Sequence, residues 1–197
     1  MIVEPAGVHS PDDAPLPELA RFLRGRVVVA ASVTIPYGTA YSAACGERAV
    51  SEVELGVVLG LSGGRALEIQ WATPGLAEGM RIVLHDQGAL KSTNLLDYVD
   101  VSDESCWARV VGQSIGTVGV GFRLIDDMQG SIVPRPWSLR IETGGRRSHT
   151  VVFALGELSD GVPEYSPDNL VVFFDETEAR RMIDDECLTS AWGVTLA

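Results

Sequence analysis

Residues 52–72, EVELGVVLGLSGGRALEIQWA, decide the fold. Two apolar, partly alternating runs, Glu52 to Leu61 and Arg65 to Ala72, flank Ser62-Gly63-Gly64. Side chains that alternate with a period of two belong to a strand with opposed faces, and glycine reaches the positive φ of a tight turn. The stretch therefore predicts a β-hairpin. Upstream, Val27 to Ile35 is rich in Val, Ala, Thr and Ile and stops at Pro36, which predicts a strand. Downstream, Met80 to Leu84 predicts another, ended by His85-Asp86. Before all of these, Glu18 to Gly25 places Leu19, Phe22 and Leu23 on one face at i, i+3, i+4 and closes on glycine, the pattern of a short helix.

The same order returns in the second half. Glu104 to Gly112 predicts a short helix with Trp107, Val110 and Val111 as its apolar face. Ser114 to Ile125 predicts a strand and Asp126 to Pro136 a loop. Trp137 to Thr143 and His149 to Leu155 predict a hairpin around Gly144-Gly145, and Leu170 to Phe174 predicts a last strand ended by Asp175. Gly25 aligns with Gly112, Gly63-Gly64 with Gly144-Gly145, and Asp86 with Asp175. A period this long is that of a duplicated unit and not of a solenoid. The expected fold is α+β and mainly antiparallel β: two duplicated helix-plus-four-strand units packed as a sandwich or a closed barrel. Glu176 to Glu186 should add a C-terminal helix, and the tail from Cys187 an edge strand or a packed Trp192. In domain terms, 1–17 is an irregular lead-in, 18–86 the first unit, 87–103 a linker, 104–175 the second unit and 176–197 the C-terminal helix and tail, all within one compact domain.

Charge narrows the function. The chain of 197 residues has 27 acidic and 15 basic side chains, a net charge of −12 that disfavours binding to nucleic acid. No apolar run approaches the roughly 18 residues of a membrane span, and the opening MIVEPAGVHSPDDAPLP lacks the basic-then-apolar plan of a signal peptide. Between Ser148 and Ala179 stand Glu157, Asp160, Glu164, Asp168, Asp175, Glu176 and Glu178 with no Lys or Arg. Such a run keeps a face solvated, or it offers Glu157, Asp160, Glu164 and Asp168 as a landing surface for a basic protein partner.

Chemistry-bearing motifs are sparse. Cys45, Cys106 and Cys187 are odd in number and far apart, which argues against a disulfide framework and for a reducing cytoplasm. His9, His85 and His149 are equally scattered, so neither a metal site nor a cofactor is expected. Gly60 to Gly64 and Gly112 to Gly116 match GxSxG around Ser62 and Ser114, but neither serine sits on a strand-to-helix turn. Asp126-Asp127 and Asp184-Asp185-Glu186 are adjacent acids, which diverge on a strand or helix and read as solvated. GTVGVG from Gly116 to Gly121 fits no dinucleotide pattern, and its glycines suit close backbone packing. His85 beside Asp86 is a minor catalytic candidate. Tyr37 and Tyr41 lie in a loop with no aromatic counterpart in the second unit, which makes them candidate ligand-binding residues. That alternative, a ligand-binding or enzymatic β-barrel, needs a cavity of roughly 300 Å³ lined by both.

Trp137-Ser-Leu-Arg-Ile-Glu142, Ala154-Leu-Gly-Glu157 and Tyr165 to Asp175 together resemble the closing part of bacterial toxin-immunity-type proteins. The resemblance covers about 40 residues and carries no catalytic motif. It implies a cytoplasmic protein that binds and neutralises a toxin. Combined with the acidic run, it favours a soluble, non-enzymatic binding protein, its oligomeric state left open.

Overall fold

The computed structural model describes residues 1–41, 49–72, 78–86, 95–126, 131–145 and 148–197. Most of it is antiparallel β-structure in two six-stranded sheets. In chain order the first half carries β1 (Ile2–Val3), α1 (Leu16–Leu23), β2 (Val28–Pro36), β3 (Val50–Val53), β4 (Gly56–Leu61), β5 (Arg65–Ala72), β6 (Gly79–Asp86) and β7 (Leu96–Asp100). The second carries β8 (Ser114–Asp126), β9 (Ile132–Gly144), β10 (Thr150–Leu155), β11 (Glu157–Ser159), β12 (Val162–Glu164), β13 (Leu170–Phe173), α2 (Glu176–Arg181) and β14 (Val194–Thr195).

The expected hairpin is β4–β5, turning through Gly63 and Gly64 at φ +84° and +71°. It sits at the centre of the first sheet, ordered β1-β6-β5-β4-β2-β7. The second sheet runs β14-β8-β9-β10-β13-β3. Among the described residues both sheets end in edge strands, β1 and β7 in one and β14 and β3 in the other, so the closed-barrel alternative is corrected to open sheets. They share one apolar core, to which α1 adds Leu16, Leu19, Ala20 and Leu23 and the tail adds Ala191, Trp192 and Leu196. Among the described residues no helix is long and apolar enough to cross a membrane.

The two halves meet where β2 and β8 begin. Gly25 N donates to Ile115 O at 2.7 Å, and Gly112 N donates to Val28 O at 2.7 Å. Ile115 N donates to Arg26 O at 2.7 Å, and Val28 N donates to Gln113 O at 3.0 Å. Each bond becomes its partner when the halves are exchanged at a spacing of 87 residues. Gly25 and Gly112 make the turn possible, with φ of +79° and +83° that a β-carbon would oppose.

Several elements depart from expectation. The stretch 104–112 is a 3-10 turn over Trp107–Arg109 and not an α-helix, because Ser105, Cys106, Val110 and Val111 are all poor helix formers. Its Trp107 still reaches the core, against Phe153 at 6.2 Å and edge-on to Phe174 at 4.9 Å. α2 stops at Arg181 instead of Glu186. Asp184 Oδ1 there accepts from the backbone N–H of Glu186 and Cys187, a local turn that competes with helix. The loop expected up to Pro136 is strand from Ile132 onward. Its prolines are tolerated because β10 pairs only with Ser138 to Glu142, leaving the start of β9 an edge on that side. The tail supplies both expected features: β14 pairs with β8, and Trp192 is buried. Cys106 is disulfide-bonded and Cys187 is free, which corrects the expectation of no disulfide. Cys45 and Asp127 lie outside the described residues.

Candidate functional site

The seven acids between Ser148 and Ala179 divide into two groups. Asp175 caps α2, accepting from Thr177 N at 2.8 Å and Glu178 N at 3.2 Å. Glu176 pairs with Arg180 at 2.7 Å and Glu178 with Arg181 at 2.8 Å. These three serve the helix. Glu157, Asp160, Glu164 and Asp168 are exposed, and none forms an ion pair among the described residues. β11 and β12 form a separate two-stranded hairpin that brings three of them together. Glu157 stands directly opposite Glu164, and Asp160 occupies the tip at φ +51° beside Gly161 at +74°. Like charges in register repel, so this hairpin holds its acids at a small cost in stability.

Among the described residues, no hollow is lined by both Tyr37 and Tyr41. Tyr37 is 63% exposed, while Tyr41 packs against the core and borders a hollow of about 190 Å³ with Ile35, Glu52 and Glu54. Burial pushes the Tyr41 phenol above its ordinary pKa. Residues 42–48, which follow it, lie outside the described set.

The remaining motif residues have structural partners. His85 Nε2 lies 2.7 Å from Glu68 Oε2, whereas Asp86, on the opposite face of β6, pairs with Arg65 at 2.8 Å. Ser62 Oγ accepts from Val27 N at 3.0 Å at the hairpin tip, and Ser114 opens β8. Among the described residues no group of three or more His, Cys, Asp or Glu is placed to hold a metal.

A larger cleft lies elsewhere, around Arg123 on β8. Its volume is about 510 Å³, and a second hollow of about 370 Å³ shares Arg123 and Tyr165 with it. Arg123 is only 6% exposed. A buried guanidinium needs paired charge, and the turn after α2 supplies it: Asp184 and Glu186 both accept hydrogen bonds from Arg123. The Tyr165 ring lies 3.6 Å from the guanidinium carbon, and the Tyr165 hydroxyl donates to Glu78 Oε2 at 3.4 Å. Burial pushes the Asp184 carboxyl up, but hydrogen bonds from Arg123, Cys187 and the Glu186 backbone outweigh it and hold it below the ordinary value. Burial, and then the Glu78 charge, push the Tyr165 phenol well above its ordinary range. Both groups thus keep one protonation state near neutral pH. Asp184 is thereby ionised against Arg123, and Tyr165 is a neutral phenol.

This cleft escapes the sequence pattern because Asp184 and Glu186 converge only once the helix ends early. One signal was present: Arg123 interrupts the apolar run Val118 to Ile125, and a cation there demands a partner. No family, curated protein or solved structure matches the chain.

Proposed function

We propose that the chain is a non-catalytic, immunity-type binding protein that captures a basic partner protein through Glu157, Asp160, Glu164 and Asp168. The β11–β12 hairpin carries this reading: it sets Glu157 against Glu164 and Asp160 at an exposed tip, with no cation to relieve them among the described residues. A basic surface would turn that repulsion into attraction. The C-terminal resemblance to immunity-type proteins supports the same reading. The chain is also proposed to be an internal duplication. Supporting this are the shared strand order, β2-β4-β5-β6 beside β8-β9-β10-β13, and the reciprocal bonds between 25–28 and 112–115.

The test is kinetic. Once a partner is isolated by affinity capture, its association rate should fall at least about fivefold between about 0.05 and 0.3 M NaCl. Replacing Glu164 by Lys should slow association about tenfold at low salt. The same replacement should raise Tm by about 1–3 °C, since Glu157 then faces a cation. A rate indifferent to salt, or a Glu164→Lys variant that binds like the native protein, would overturn the reading.

A further inference from the structure

The cleft at Arg123 is one end of a longer groove. Its second hollow shares Pro163, Arg181 and Met182 with a third, of about 270 Å³, that reaches Val162. β12 therefore forms one wall, so the acidic hairpin and the groove are continuous. The groove joins two properties that rarely coexist on an uncovered surface. Among the described residues the part around Arg123 is also lined by Glu78, Asp126, Asp185 and Glu186, and the Arg123 charge is already met by Asp184 and Glu186. Along its margin Ile132, Ile183 and Val162 are 69%, 56% and 47% exposed. Large branched apolar groups so exposed gain by being covered. Acidic charge in a recess with apolar walls is felt more strongly there than on open surface.

We propose that this groove is the docking site for an extended segment of the partner in which Arg or Lys residues alternate with apolar ones. The cation enters the cleft beside Glu78 and Asp185, and the flanking apolar residues cover Ile132 and Ile183. The choice of occupant rests on charge complementarity: an acidic segment would add to the charge of Glu78 and Asp185, and a purely apolar one would strip them of water without replacing it. This inference rests on the reading of the chain as a binder of basic proteins and deepens it. The hairpin steers the partner, and the groove holds it.

The test uses the full chain and a capped pentapeptide alternating leucine and arginine, titrated while backbone amide resonances are followed by NMR. Saturable shifts are expected at 123–126, 132, 164–165 and 183–186, with a Kd below about 5 mM. A peptide with glutamate in place of arginine should shift none of them. Combining Glu78→Gln with Asp185→Asn should weaken binding at least fivefold while the amide spectrum keeps its native dispersion. Shifts confined to 157–160 would overturn the groove and leave the hairpin reading standing. Absence of saturable shifts would overturn the groove as well. Conversely, a natural partner whose association ignores salt would sink the hairpin reading while the peptide titration still reports on the groove.

Discussion

A methyl group at position 121 has no room. A β-carbon there would stand 2.2 Å from Ser138 Oγ and 3.0 Å from Ser190 O, and one on Gly193 would meet Gly121 N at 2.5 Å. The glycine-rich run before β9 is thus a track on which the C-terminal segment lies against β8, as its failure to fit any phosphate-binding pattern suggested. Ser138 can rotate away but the Ser190 carbonyl cannot, so Gly121→Ala should cost about 1–3 kcal/mol and lower Tm by about 2–10 °C. Gly25 and Gly112 offer a contrast, since nothing lies within 4 Å of a β-carbon at either. Their only cost is the positive φ, about 1–2 kcal/mol, so Gly25→Ala and Gly112→Ala should destabilise equally. Thermal melts of the three variants check both statements. A native Tm for Gly121→Ala would mean that the tail does not pack as described.

At the scale of elements, the early end of α2 has a pH consequence. The folded state holds the Asp184 carboxyl below its ordinary value, because the hydrogen bonds from Arg123 and its neighbours outweigh burial. A depressed folded pKa means that the ionised form is favoured in the fold. Its contribution is complete above about pH 4, where the unfolded aspartate is also ionised, and it drains away as pH falls through the folded value. The Asp184 side chain is 42% exposed, so solvent screening limits the gain to about 0.5–1 kcal/mol. Asp184→Asn should therefore lower Tm by about 1–4 °C from pH 5 to 8, with the difference shrinking below about pH 4. Melting curves across that range decide it, and a gap that widened in acid would refute the sign. The same turn shows why the cleft was hidden: adjacent acids diverge on a helix, and only a chain that leaves the helix can aim Asp184 and Glu186 at one guanidinium.

For the whole molecule, what the sequence disclosed was local and what it withheld was long-range. Glycine turns and period-two runs are written within a dozen residues, so the β4–β5 hairpin could be read directly, whereas β7 arose in the stretch read as a linker and β1 in the lead-in. The acidic run was legible as a run; that α2 consumes Asp175, Glu176 and Glu178 and leaves the other four exposed depends on where the helix stops. β3 was illegible as a separate strand because its partner, β13, lies in the opposite half, with Val50 facing Phe173 and Val53 facing Leu170. That pairing makes the halves interdependent. The first half completes the second sheet, the reciprocal bonds join 25–28 to 112–115, and one core spans both. Fragments 1–103 and 104–197, expressed apart, should each lack a cooperative thermal transition: the first exposes β3 and half a core, and the second loses an edge strand. Mixed in equal amounts they should recombine into a one-to-one complex with a native circular dichroism spectrum and a single melt. A cooperative melt of 1–103 alone would instead make the halves independent domains, and the pairing of β3 with β13 a contact of little energetic weight.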